Sequence, residues 1–127
     1  YEAMTQIGLK IENPRYFMPA YEWYNNEICN WTKTMGIDLV NFTPGTITNA
    51  DYTTPDMKNY RSSVELYHKV LELEQEGGLN GSILLIHIGT HPLRTDKFYN
   101  YLDKLIIELK KSGYDIVRID ELLKSVI

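Results

Sequence analysis

The chain has 127 residues, the length of one ordinary domain, and its 43% hydrophobic and 24% charged residues are typical of a globular protein. The net charge of -4 and the lack of a basic block argue against binding to nucleic acid or to an anionic membrane surface. Nothing in the sequence approaches the roughly 20 apolar residues of a membrane span. The single cysteine, Cys29, excludes an internal disulfide and is interpreted as a packed thiol.

The hydrophobic pattern predicts strands that alternate with helices. Apolar runs bounded by Gly or Pro predict strands, and apolar residues at i, i+3, i+4 and i+7 predict helices. Because the chain opens inside a predicted helix, we expect it to belong to a longer protein. The predicted elements are a partial helix at 1–9, a strand at 15–18, an aromatic loop at 21–24, a helix at 25–35, a strand at 37–42, a polar loop from 46 to about 60, a helix at 62–76, a strand at 83–86, a helix at 96–112, a strand at 114–119 and a short helix from 120.

This alternation predicts an α/β fold in which helices pack on a parallel sheet, because right-handed crossovers permit little else. Four strand–helix units are enough for a small open sheet or for half of a (β/α) barrel. The helix at 62–76 is apolar over more than one stripe, which favours the larger assembly. Residues 1–127 are therefore predicted to be a single domain or the carboxyl-terminal part of a barrel. Half a barrel would leave a strand edge unpaired, and we expect self-association through that edge.

The candidate catalytic residue is His87, which follows directly on the aliphatic run Ile83–Ile86. That run is typical of a strand buried on both faces, and ligands meet open α/β sheets and α/β barrels at the carboxyl ends of strands. An imidazole in that place is a candidate acid, base or ligand. The alternative is a core histidine that bonds to the backbone.

Other polar and aromatic residues are weaker candidates. Asp51, in the long polar loop, is a candidate to orient His87, although turn and cap roles are commoner for such an aspartate. Aromatic rings can stack on a sugar or simply fill a core, and both interpretations apply to Tyr21, Trp23, Tyr24 and Tyr52. Two further histidines are interpreted as structural, His68 on a helix face and His91 in a surface loop.

Three segments together resemble the carboxyl-terminal half of the polysaccharide deacetylases, the NodB-type domain of carbohydrate esterase family 4. Phe17-Met18-Pro19-Ala20-Tyr21-Glu22 is similar to the family's motif of an aromatic residue followed by Arg-Pro-Pro-Tyr-Gly. Leu85-Ile86-His87 matches a buried strand that ends in Leu-X-His. The tail from Leu109 to Leu123 looks like the family's closing helix, strand and helix. The resemblance covers nearly the whole chain, with the motifs in the family's order.

The resemblance implies part of a distorted (β/α) barrel and a metal-assisted hydrolysis that removes N-acetyl or O-acetyl groups from a carbohydrate. A divalent metal, most often zinc, would polarise the acetyl carbonyl, and an aspartate would act as base. His87 would protonate the leaving group, Leu85 would line the pocket for the acetyl methyl, and the backbone near Tyr21 would stabilise the oxyanion. The implied partner is an acetylated glycan.

The sequence also departs from the family. The Asp-Asp and His-X-X-X-His motifs that supply the base and the metal ligands are missing, and the arginine that pairs with the base is replaced by Met18. Residues His87 to Pro92 fit His-X-X-X-His-Pro, but Gly89 interrupts the helical turn that two such ligands would share. We therefore expect no metal bound by this chain alone, and no hydrolysis without the missing motifs.

Three functions follow from these observations. The first is a deacetylase-like hydrolase of which this chain is a carboxyl-terminal fragment. The second is a catalytically inactive module that binds carbohydrate or a partner, which the replacement by Met18 favours. The third, outside the family, is a small doubly wound domain that recognises a ligand or partner at His87.

Overall fold

The computed structural model describes residues 5–8 and 15–124, which fall into two compact units that divide between Asn41 and Phe42. The chain is mixed α/β, with several helices and a small parallel sheet. Most of the helix predicted at 1–9, and the end of the tail after 124, lie outside the described residues. Over the described ranges, no helix is both long enough and apolar enough to cross a membrane.

The first unit contains a parallel strand–helix–strand arrangement. Strand β1 (Tyr16–Phe17) pairs with strand β2 (Asp38–Leu39), and helix α1 (Asn26–Thr34) lies between them in the chain. The side chain of Asn25 caps α1 by accepting from the N–H of Ile28 at 2.9 Å. The predicted parallel pairing is confirmed, although both strands are shorter than predicted.

The second unit is built mainly from helices. These are a 3₁₀ helix (Thr48–Tyr52), α2 (Ser63–Gly77), a second 3₁₀ helix (Phe98–Tyr101), α3 (Leu102–Lys111) and α4 (Ile119–Lys124). Helix α2 begins with the predicted capping box, in which Ser62 and Glu65 each bind the backbone N–H of the other. It is capped at its carboxyl end by Gly78, whose φ of 77° is accessible to glycine at little cost.

The hydrophobic core of this unit lies where α2 meets the residues around α3. Its buried members are Leu66, Tyr67, Val70, Leu79, Phe98, Leu105 and Leu109. Leu84 and Ile86, from the segment that precedes His87, pack against the same cluster. The core therefore anchors one side of the segment that leads to the candidate site.

Two strand predictions are wrong in the described structure. Residues 83–86 and 114–119 join no ladder, and residue 119 begins α4 instead. The N–H of Ile83 donates to the Oγ1 of Thr43 at 2.8 Å, and the N–H of His87 donates to Asp51 at 2.7 Å. The N–H of Thr43 also donates to the carbonyl oxygen of Ile83 at 2.9 Å. The N–H groups of Ile83 and of His87, however, bind side chains, where a ladder would use backbone carbonyls. A cavity of about 760 Å³ is lined by residues of both segments and of α3.

The prediction for the helix at 96–112 is wrong at its start, since regular α-helix begins only at Leu102. The reason is that Asp96 binds a different helix. Its Oδ2 accepts from the N–H of Ser63 at 2.6 Å, and its carbonyl oxygen accepts from the Ser63 hydroxyl at 2.6 Å. Asp96 therefore caps α2 from a distance, and a 3₁₀ turn lies between it and α3.

We expect Asp96 to make the free energy of unfolding depend on pH. Partial burial opposes its ionisation, but the hydrogen bonds from Ser63 and Tyr60 and the charge of Arg94 outweigh it, so the pKa of Asp96 is lowered. A lowered pKa stabilises the fold above the unfolded value of about 3.9, and this stabilisation is lost as the pH falls through the folded value. Urea unfolding from pH 7 downwards should show a smaller loss of stability below about pH 4 in Asp96→Asn than in the wild type.

Asp115 provides the matched control, because it is an exposed aspartate in the loop between α3 and α4. Asp115→Asn should lose stability with falling pH as the wild type does. Parallel profiles for the wild type and Asp96→Asn would show that Asp96 does not contribute to the acid sensitivity.

Candidate functional site

The candidate site is a close pair formed by Asp51 and His87. Nδ1 of the imidazole lies 2.6 Å from Oδ1 of Asp51, and the backbone N–H of His87 donates to Oδ2 at 2.7 Å. The carboxylate is fully buried, whereas the imidazole side chain is 32% exposed. One buried carboxylate thus fixes both the backbone and the ring of a histidine that reaches the surface.

The local fold places Asp51 in the 3₁₀ helix Thr48–Tyr52, within the loop that was predicted to lack regular structure. That helix follows Ile47, which has a φ of 50°. A left-handed conformation is unusual for a β-branched residue and persists only where the surrounding structure enforces it. Ile47 packs against the core of the second unit, which supplies that enforcement.

The pairing determines what the imidazole can do. A carboxylate offers only acceptors, so the Nδ1 of His87 carries the hydrogen that points at Asp51. In the neutral ring, Nε2 then has a free lone pair, and in the charged ring it has a proton to donate. Among the described residues, the hydrogen bonds of His87 are made by its backbone N–H and by Nδ1. The arrangement suits a general acid or base, with the carboxylate holding the tautomer and stabilising the imidazolium.

Two more of the predicted site residues belong to the same unit. Tyr52 is 46% exposed, and its ring lies edge to face against the imidazole of His87, with 5.9 Å between the ring centres. Leu85 is half-buried in the segment before His87. The structure therefore brings Asp51, Tyr52 and His87 together.

Comparison with known proteins adds no assignment. No family model, curated protein or solved structure matches the chain. The residues of the site are thus the basis for any functional conclusion.

The remaining predicted residues, Tyr21 and Trp23, belong to the first unit. The two residues are 87% and 81% exposed. Tyr21 and Glu22 both have positive φ values, 56° and 57°, and the carbonyl oxygen of Glu22 accepts from the Asn41 side chain at 3.0 Å. Positive φ values in two consecutive residues other than glycine are uncommon, and they occur mostly in turns and at functional sites.

The other histidines remain separate from the pair. His91 is exposed, and its Nδ1 accepts from the N–H of Leu93 at 3.2 Å. His68 is exposed on α2, where its ring lies against that of Tyr67. No three His, Cys, Asp or Glu side chains in the described part of the chain are grouped so that they could hold a metal ion.

Two basic residues near the site, Arg94 and Lys97, were not predicted from the sequence. Arg94 is completely buried and donates to the carbonyl oxygen of Thr53 at 2.7 Å, next to the helix that carries Asp51. Lys97 donates to the Oγ1 of Thr90 at 2.7 Å, in the loop after His87. In the sequence both cations lie in a polar stretch that resembles an ordinary surface loop, so no signal distinguished them.

Proposed function

We propose that this chain carries the proton-transfer residues of a carbohydrate deacetylase-like hydrolase, which removes N-acetyl or O-acetyl groups from a glycan. The observation that carries the proposal is the bond between the buried Asp51 carboxylate and Nδ1 of the partly exposed His87. It supports the role that the likeness of Leu85-Ile86-His87 to the family motif implies.

The chemistry of the pair follows from its geometry. The amine or hydroxyl that leaves an acetylated sugar must gain a proton, and the Nε2 of a charged imidazole can donate it. The negative charge of Asp51, 2.6 Å from Nδ1, stabilises the imidazolium until the proton is given up. The imidazole side chain is 32% exposed, so a glycan could reach part of the ring.

The resemblance also implies a divalent metal, most often zinc. The described residues do not fit one, because they offer no group of three suitable side chains. In this proposal the metal ligands and the base are supplied by other residues of the protein, within a distorted (β/α) barrel. The parallel strand–helix–strand arrangement of the first unit is consistent with such a barrel.

His87→Gln tests the proposal. Glutamine can still bond to Asp51 but cannot transfer a proton, so acetate release should fall by about 100-fold or more. The assay measures acetate released from N-acetylated chitooligosaccharides by the native gene product with added zinc. The control is His91→Gln, which changes an exposed histidine in the loop after His87 and should leave the rate unchanged. Equal rates for His87→Gln and the wild type would refute the proposed role.

A second candidate is a binding module without catalysis, which the exposure of Tyr21 and Trp23 favours. The chain has two tryptophans, Trp23 and Trp31, so each can be observed alone. In this case Trp31→Phe should show a fluorescence change with chitooligosaccharides that Trp23→Phe lacks. Such binding by a wild-type protein that releases no acetate would favour the module over the hydrolase.

A further inference from the structure

The guanidinium of Arg94 is a charged group in the interior of the second unit, with no exposed surface. Nη1 donates to the carbonyl oxygen of Thr53 at 2.7 Å, and Nη2 donates to Oγ of Ser63 at 3.1 Å. Nε donates to the carbonyl oxygen of Asp96 at 3.1 Å, and the Asp96 carboxylate lies 3.6 Å from Nη2. A buried charge is costly unless it is paired and hydrogen-bonded in this way.

These bonds join the two parts of the chain that carry the Asp51–His87 pair. Thr53 follows directly on the 3₁₀ helix that contains Asp51, so Nη1 holds the end of that helix. Arg94 itself lies in the loop that follows His87, and Lys97 fastens the same loop through its bond to Thr90. The guanidinium therefore connects the backbone that follows Asp51 to the loop that follows His87.

We propose that Arg94 is a positioning residue for His87. Its planar fork fixes the helix of Asp51 relative to the loop after His87, and so keeps Nδ1 within hydrogen-bond distance of Oδ1. Lysine would keep the charge but lose the fork, and methionine would fill much of the space without any hydrogen bond. A catalytic role for this positioning rests on the proposed function. The effect of Arg94 on the tautomer of His87 can be tested without a substrate.

The experiment compares Arg94→Lys and Arg94→Met with the wild type by long-range proton–nitrogen NMR of the histidine rings, under conditions in which imidazole is neutral. His87→Gln assigns the His87 signals. In the wild type, His87 should show the Nδ1–H tautomer. In both variants that tautomer should be partly or fully lost, more so in Arg94→Met. Arg118→Met, which removes a side chain that is 79% exposed, is the matched control and should retain the wild-type tautomer.

A folded Arg94→Lys variant with an unchanged His87 spectrum would overturn the proposal. It would show that the guanidinium of Arg94 is not needed to hold the imidazole of His87 in the Nδ1–H tautomer. If the Arg94 variants do not fold, Ser63→Ala removes one acceptor of the guanidinium and should cause a smaller loss of the same tautomer; no change there would also overturn it. Acetate release is measured separately. A wild type that releases no acetate refutes the proposed function, while the NMR result still decides the role of Arg94.

Discussion

Replacing Phe98 with alanine is expected to lower the free energy of unfolding by about 3–5 kcal/mol. Phe98 is 2% exposed within the core cluster of the second unit, and its ring stacks on that of Tyr101 with 6.4 Å between centres. Alanine would remove the buried ring and leave a cavity that the surrounding helices can only partly close. Urea unfolding followed by circular dichroism measures the change.

The neighbouring Tyr99 provides the control, because this residue is 38% exposed. Tyr99→Ala should lower the free energy of unfolding by much less than Phe98→Ala. Equal losses in the two variants would mean that the core does not depend on Phe98 in the way its burial indicates.

The helices of this protein follow from local sequence signals, which explains why most were predictable. The capping box at Ser62 and Glu65, and the asparagine cap at Asn25, satisfy backbone groups within a few residues of themselves. Such signals act without help from distant parts of the chain. The start of the helix predicted at 96–112 was misplaced because Asp96 caps α2, a partner that local sequence does not reveal.

The strands were harder to predict because a strand needs a partner that its own sequence does not specify. The aliphatic run Ile83–Ile86 satisfies the pattern of a buried strand, yet the Thr43 hydroxyl binds the N–H at its start. The segment 114–119 likewise joins no ladder in the described structure. The hydrophobic pattern indicates that a segment is buried in the folded protein. Whether the segment pairs with another strand depends on tertiary contacts that the pattern does not specify.

The residues of the site also differ in whether local sequence can predict them. The polar loop indicated Asp51, and the end of an aliphatic run indicated His87, so both residues could be chosen from the sequence. Arg94 could not, because an arginine in a polar stretch is far more often exposed than buried. Only the folded chain reveals that its partners, Thr53 and Ser63, lie on two different helical segments or directly beside them.

Asp51→Asn is expected to change the tautomer of His87 and to reduce acetate release by about 100-fold or more. The carboxylate accepts from two donors of His87, the backbone N–H and Nδ1–H. An amide of the same shape offers one oxygen and one NH₂ group. If the oxygen keeps the backbone N–H, the NH₂ group faces Nδ1, and the ring proton must move to Nε2.

The lone pair of Nε2 would then be lost in the neutral ring, and the negative charge that stabilises the imidazolium would be gone. Long-range proton–nitrogen NMR detects the tautomer, and urea unfolding should show a loss of about 1–3 kcal/mol from the weakened buried hydrogen bonds. Asp56→Asn is the matched control, because Asp56 is an exposed carboxylate that accepts from Thr54. An Nδ1–H tautomer retained in Asp51→Asn, at wild-type activity, would mean that the carboxylate serves the fold and not the reaction.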